Sequence, residues 1–241
     1  MAEQEIINHT KEALKVLENK ELSLWEKAKD FILEVFIIVF AISLSIWFHN
    51  LSENNKEKQL AKTFLLGLKS DIQADIDETK ELQGAYKKYT LLYTYLNSLD
   101  IHKAPNLDSL KLALQFINTN SYLRAHKSRF NGFLSAGKIM TIENDSLIQK
   151  ILNYYQEVLP QIESSEKGWI NNNASLNNYL VDNSKDYENP IEDFKVLTTS
   201  KGKYLTKSLI PWPQLLERYQ NIITEGQEIT SDISKMYPSN K

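Results

Sequence analysis

The sequence predicts an all-α protein in which a single N-terminal transmembrane helix continues into a long helix, followed by an extramembrane helical bundle. Two patterns predict the helices: a concentrated apolar run, and a long proline-free segment with apolar residues at helical spacing. Seven Gly and six Pro among 241 residues are few for a turn-rich β protein. We expect an amphipathic helix over 1–22, a transmembrane helix over 23–51 and an extramembrane helical domain over 52–241.

The first helix is predicted by Ile7, Leu14 and Leu17, which recur at helical spacing among Glu and Lys residues. An amphipathic helix of this kind lies on a membrane surface or packs on a partner. Ser23 and Glu26 then form an S-x-x-E capping box. The box places the start of the next helix near residue 24.

The transmembrane helix is predicted by the apolar run from Phe31 to Leu51. At 1.5 Å per residue this run is about 32 Å long, close to the hydrocarbon thickness of a bilayer. Trp25 and Trp47 flank it as interface anchors. A buried core helix is the alternative, but core helices rarely carry large apolar residues on every side. The run is longer than a signal-peptide core and follows a long polar segment, so we expect an uncleaved anchor.

One face of this helix carries small and polar residues. Its members share an arc of about 80° and are Glu34, Ile38, Ala41, Ser45 and His49. Small residues four apart favour close helix–helix contact. Three interpretations of the carboxylate stay open: contact with a partner helix, snorkelling to the interface, and handling of a proton or ion.

The long helix is predicted to run from about Leu24 to about Ser98, because residues 52–98 contain no proline. Apolar residues form one stripe along it. They are Leu65, Leu68, Ile72, Ile76, Leu82, Tyr86, Tyr89, Tyr93 and Leu96. Such a stripe is buried against other helices of the chain or, as in a coiled coil, against copies of it.

Helical spacing predicts further helices that would cover the stripe. They span 107–118, 122–139, a long segment capped by Asn144 or Asp145, and a C-terminal segment from Pro213. Pro160 lies inside the long one and should kink it near Gln156, whose carbonyl loses its donor. The polar segment 181–204 has broken periodicity and is predicted to be a loop.

Composition excludes several function classes. A net charge of −3 gives no reason to expect a nucleic-acid partner. The absence of cysteine excludes disulfides, thiolate zinc sites and a cysteine nucleophile. No sequence feature indicates a cofactor.

Two motif matches do not predict an enzyme. Residues 132–138 read G-x-x-x-x-G-K, but Ile139 stands where a phosphate-binding loop needs Ser or Thr, and no strand is predicted before it. Ser135 and Lys138 have the spacing of a penicillin-binding Ser-Lys pair, without the motifs that complete such a site. We interpret the segment as a closely packed helix.

Acidic and aromatic residues offer two further hypotheses. Asp71, Asp75 and Glu78 share a helix face that could bind a cation, although a solvated face is the simpler interpretation. The four His show no i, i+4 pair, so no metal site is predicted. Aromatic residues could line a ligand pocket or an interface, but core packing at helical spacing explains most of them. They are Tyr86, Tyr89, Tyr93, Tyr122, Tyr154, Tyr155, Tyr179 and Trp169.

Several segments together resemble a known family. They are Leu33-Glu34, 49–58 (HNLSENNKEK), 130–139 (FNGFLSAGKI), 144–147 (NDSL) and the paired tyrosines at 154–155. Their order and spacing resemble a family of single-span envelope proteins, a domain of unknown function common in Bacteroidota. Leu33, His49 and Leu51 stand where the family pattern has Gly, Asn and Trp. The resemblance implies a bacterial inner-membrane protein with a cytoplasmic N-terminus and a periplasmic helical domain, and it implies no activity.

The expected function is that of a membrane-anchored, non-enzymatic scaffold or accessory subunit of an envelope complex. Its partners would be the lipid bilayer and either copies of itself or other membrane subunits, docked through the span and the bundle. A periplasmic ligand sensor is one alternative, and a subunit of an ion-coupled or channel-like oligomer using Glu34 is another. Five lysines in 11–30 against four in 52–71 leave the orientation undecided by charge.

Overall fold

A computed structural model describes residues 11, 24–117, 119–186 and 189–238, and the fold is helical throughout these residues, without a strand. The amphipathic helix predicted over 1–22 lies outside them apart from residue 11, and so does Ser23 of the capping box. The chain divides into two compact units, Met1–Leu60 and Ala61–Lys241.

The first helix, α1, runs from Leu24 to Ser98, so both predicted ends are confirmed. The others are α2 Leu107–Leu114, α3 Ser128–Ser135, α4 Asp145–Asn153, α5 Leu159–Asn183, α6 Pro190–Leu197, α7 Ser200–Ser208 and α8 Pro213–Met236. A 3₁₀ turn, Lys138–Thr141, follows α3, and a π-helical turn, Tyr154–Val158, joins α4 to α5.

In the first unit, α1 exposes large apolar side chains on all sides. Phe36 is 67% exposed and Ile32 is 66% exposed. The most apolar 18-residue window of the helix has a mean hydropathy of 2.5, and none of it is buried. By length and composition, this helix could cross a membrane, and it is the one helix of the described residues that meets this criterion.

In the second unit, the C-terminal part of α1 contributes the stripe that the sequence predicts, and all nine of its predicted members are buried. They share one hydrophobic core with Trp169 and Leu176 of α5 and with Tyr219 and Ile222 of α8. The helix predicted from Pro213 therefore contributes to the same core.

The long helix after Asn144 has the predicted cap and an irregularity before Pro160. The Asn144 side chain accepts the Leu147 N–H at 3.0 Å. Proline has no N–H to donate, and the backbone before it widens into the π-helical turn, where the Leu159 N–H donates to the Tyr154 carbonyl. The irregularity observed around Gln156 is this π-helical turn, and the kink of the helix axis stays a prediction.

Three sequence predictions are wrong in extent. Residues 107–118 form a helix only as far as Leu114, and residues 122–139 contain only α3 and the 3₁₀ turn. The predicted loop over 181–204 contains α6 and the first half of α7. Asn189 and Thr199 start these two helices, because their side chains accept the N–H of Ile191 and of Gly202, both at 3.0 Å.

Two glycines give a matched pair of stability predictions. A Cβ at Gly84, on the exposed face of α1, would have open space around it, so Gly84→Ala should stabilise the protein by about 0.5–1 kcal/mol. A Cβ at Gly202 would lie 2.7 Å from Leu197 Cα, so Gly202→Ala should destabilise it by about 1–3 kcal/mol. Urea unfolding of both variants, followed by circular dichroism, measures the two changes in the free energy of unfolding. Equal changes in both variants would contradict the prediction.

Candidate functional site

Residues 119–127, hereafter the strap, have no regular secondary structure although they lie in the folded second unit. An irregular segment in such a position needs partners for its backbone N–H and C=O groups. Polar side chains of α1 and α5 supply them. These contacts make the strap and its anchoring side chains the most distinctive polar feature of the described residues.

Glu166 of α5 anchors the middle of the strap and is only 3% exposed. Its Oε1 accepts the Leu123 N–H at 2.8 Å and the hydroxyl of Tyr219, from α8, at 2.6 Å. Loss of water around the carboxyl raises the pKa of Glu166 to about 7, and the two hydrogen bonds offset only part of this effect. The group therefore changes charge near neutral pH.

Asp75 of α1 anchors the end of the strap and is completely buried. Its Oδ1 accepts the His126 backbone N–H at 3.0 Å and lies 2.6 Å from His126 Nδ1. Burial raises the pKa of Asp75, and the hydrogen bond to Asp75 raises the pKa of His126. Because the His126 side chain is 54% exposed, it connects the buried carboxylate with solvent.

Two further side chains hold the beginning of the strap. Tyr86 donates its hydroxyl to the Ser121 carbonyl at 2.9 Å. Asn173 Nδ2 donates to the Thr119 carbonyl at 3.0 Å. Side chains from α1 and α5 thus contact the strap along its length, and they replace the hydrogen bonds that a helix would make for itself.

The aromatic residues next to the strap form core and not a pocket. Trp169 lies with its ring centroid 5.3 Å from Tyr86, 4.9 Å from Tyr89 and 5.9 Å from Tyr93. Rings at these separations contact one another. Most of the predicted aromatic set is buried in this way, whereas Tyr122 is exposed.

The G-x-x-x-x-G-K segment lies at a packed corner. Gly132 is in α3, Gly137 has a positive φ of 68°, and Lys138 begins the 3₁₀ turn. Phe133 stacks on Phe64 of α1 with a centroid distance of 3.7 Å. The segment begins inside α3 instead of after a strand, so its surroundings differ from those of a phosphate-binding loop.

The prediction of a solvated acidic face on α1 is wrong for Asp75, which is buried. On the same face, Asp71 forms an ion pair with Arg129 at 2.8 Å. Within the described residues, no three His, Asp or Glu side chains are grouped to hold a metal ion.

The predicted membrane face lies in the first unit. Glu34 and Ile38 are half-buried, and Ala41, Ser45 and His49 are exposed. The predicted anchors Trp25 and Trp47 are 81% and 57% exposed. Contact of this face with a partner helix stays a prediction.

Sequence reasoning missed Glu166, although its spacing carried a signal. Ile162, Glu166, Trp169, Asn173 and Leu176 follow one another at intervals of three and four residues, and all of them are buried. A polar residue in register with a buried stripe occupies a core position. Glu166 and Asn173 could have been found on this ground, but their partners in the strap could not.

Comparison with protein-family models, with curated proteins and with solved structures finds no match to this chain. The resemblance carried by Leu33-Glu34 and by residues 49–58, 130–139, 144–147 and 154–155 therefore stays a prediction. The geometry by itself supports a role for the strap site in holding a structural segment through two buried acids, of which Glu166 has a pKa of about 7.

Proposed function

We propose that the chain is a membrane-anchored, non-enzymatic scaffold or accessory subunit of an envelope complex. The observation that carries this proposal is the apolar part of α1, whose large side chains are exposed on every side. Exposed apolar surface of this extent is unfavourable in water and favourable in a bilayer. The second unit has its own core, so the apolar helix is not needed to complete it.

The proposed partners are the lipid bilayer and either further copies of the chain or other membrane subunits. The docking face in the membrane would be that of Glu34, Ile38, Ala41, Ser45 and His49. Lipid tails are as apolar as leucine, so helices associate in membranes where small residues let their backbones approach. Ala41 and Ser45 are such a pair.

The proposed location is the bacterial inner membrane, crossed once, with the N-terminus in the cytoplasm and the C-terminal domain in the periplasm. The family resemblance supports this orientation. Because the chain has no cysteine, single-cysteine variants report position without background. We expect Lys185→Cys to react with a membrane-impermeant maleimide in intact spheroplasts, and Lys11→Cys only after permeabilisation. The reverse pattern would invert the topology, and release of the chain by alkaline carbonate would refute the anchor.

The helix–helix contact has a matched test in two serines. Ser45 lies on the proposed docking face, and Ser43 lies about 160° away around the same helix. We expect oxidation of Ser45→Cys in native membranes to give a disulfide-linked dimer, and Ser43→Cys to stay largely monomeric. Both substitutions replace serine with a side chain of similar size at nearly the same depth, so only the face differs.

Equal cross-linking of both variants would contradict a specific face. An absence of dimer from Ser45→Cys, with full-length chain in the membrane, would favour a different subunit as the partner. In that case a cross-linked species of higher mass should contain a second protein. Glu34→Gln separates the ion-coupled alternative, because a packing role tolerates the neutral amide whereas proton or ion handling does not.

A further inference from the structure

The strap combines two features that rarely occur together: an irregular backbone, and anchors that are buried acids. Leu123 and His126 donate their backbone N–H groups to Glu166 and Asp75. Both acceptors are at least 97% buried, since Glu166 is 3% and Asp75 0% exposed. The charge state of each acid therefore decides how costly it is to keep water out of the strap.

We propose that residues 119–127 form a proton-sensitive strap, held closed on α1 and α5 at mildly acidic pH and opened locally as the pH rises above neutral. The proposal goes beyond the anchoring function and does not depend on it. Protonated Glu166 fits the apolar core while its Oε1 still accepts both hydrogen bonds. Deprotonated Glu166 needs water, and opening of the strap supplies it.

The charged groups that face Glu166 also favour its protonated form. From α1 the facing groups are Glu78 and Tyr86, from α8 Tyr219, and from α5 itself Glu163. None of them is a cation that would stabilise the ionised carboxyl. Arg218 of α8 bonds to Ser165 and to the Gln161 carbonyl, and Lys127 pairs with Glu163.

The groups that face His126 favour its protonated form at lower pH. From α1 these groups are Asp71, Asp75 and Glu78. Tyr155 of the π-helical turn donates to the His126 carbonyl at 3.4 Å, and Arg129 of α3 pairs with Asp71. The carboxylates favour the imidazolium. Loss of this proton at higher pH weakens the contact with Asp75, so the contacts of the strap with Asp75 and with Glu166 weaken in the same direction as the pH rises.

Amide hydrogen exchange of the full chain in nanodiscs tests the proposal. After correction for the intrinsic pH dependence of exchange, we expect the opening equilibrium of strap amides to increase about tenfold from pH 6 to pH 8, given a pKa near 7 for Glu166 in the closed strap and 4.5 in the open one. Amides in the centre of α8 should change much less. Glu166→Gln keeps the Oε1 acceptor and should remove most of the strap's response.

Glu217→Gln is the matched control, because Glu217 is exposed on α8 and the substitution removes the same charge. It should behave like the wild type. A strap response of undiminished size in Glu166→Gln would overturn the proposal. If that variant fails to fold, the wild-type chain still tests the proposal. An equal increase in the opening equilibrium of amides in α8 and in the strap would mean general destabilisation, and this result would also overturn the proposal.

Discussion

Trp169→Ala should destabilise the second unit by about 3–5 kcal/mol, the usual cost of removing a large aromatic side chain from a core. Trp169 is completely buried and contacts three tyrosines of α1. Its Nε1 also donates to the Leu209 carbonyl at 3.1 Å, which ties α5 to the end of α7. Urea unfolding in mild detergent, followed by circular dichroism, measures the loss.

A second substitution separates ring contact from the hydrogen bond. Trp169→Phe keeps an aromatic ring among the tyrosines but leaves the Leu209 carbonyl without this donor, so we expect a smaller loss of about 1–3 kcal/mol. Tyr204→Ala is the exposed control, at 72% exposure, and should change stability by less than about 0.5 kcal/mol. If Trp169→Ala costs no more than the control, the aromatic cluster does not hold the unit together.

The long helix was predictable because its signals are local. The capping box of Ser23 and Glu26, the absence of proline and a regular apolar stripe are all read from neighbouring residues, and they predicted the ends of α1 and its buried face. The same stripe also includes two polar residues at the spacing of the apolar ones. Asp75 and Thr79 continue the spacing of Leu68, Ile72 and Leu82, and both are buried.

The strap was not predictable, because the interactions that form it are distant in sequence. Residues 122–127 have helical spacing of their own, and nothing nearby forbids a helix. The Leu123 and His126 N–H groups instead bond to Glu166 and Asp75, which lie 43 and 51 residues away along the chain. Two buried acceptors outweigh the local preference, so α3 begins only at Ser128.

The missed helices α6 and α7 had local signals of a different kind. Asn189 precedes Pro190, the pairing expected at an N-cap and the first helical position, and Thr199 caps α7. Apolar periodicity alone overlooked them because both helices are short. Capping residues are therefore the better guide in polar segments of this chain.

Glu166 should make the free energy of unfolding fall as the pH rises, the opposite of the usual behaviour of a paired carboxylate. Its pKa is about 7 in the folded chain against a usual 4.5, so between these values the folded state binds the proton more strongly than the unfolded state. The contribution is complete below about pH 4.5 and is lost as the pH rises through 7. The difference between these two pKa values corresponds to about 3 kcal/mol in the free energy of unfolding.

Urea unfolding of the full chain from pH 5 to pH 8 measures this loss, and Glu166→Gln should remove most of it. At pH 8 the variant should be more stable than the wild type by up to about 3 kcal/mol, because the amide keeps an acceptor for Leu123 and Tyr219 and carries no charge. The raised pKa of His126 adds a slope of the same sign in both proteins, since its proton is also held more strongly in the folded state. Parallel curves for wild type and variant would mean that Glu166 is hydrated in the folded chain. A wild-type slope of the opposite sign would mean that its carboxylate is the stabilised form, so the pH profile tests the burial of this single side chain.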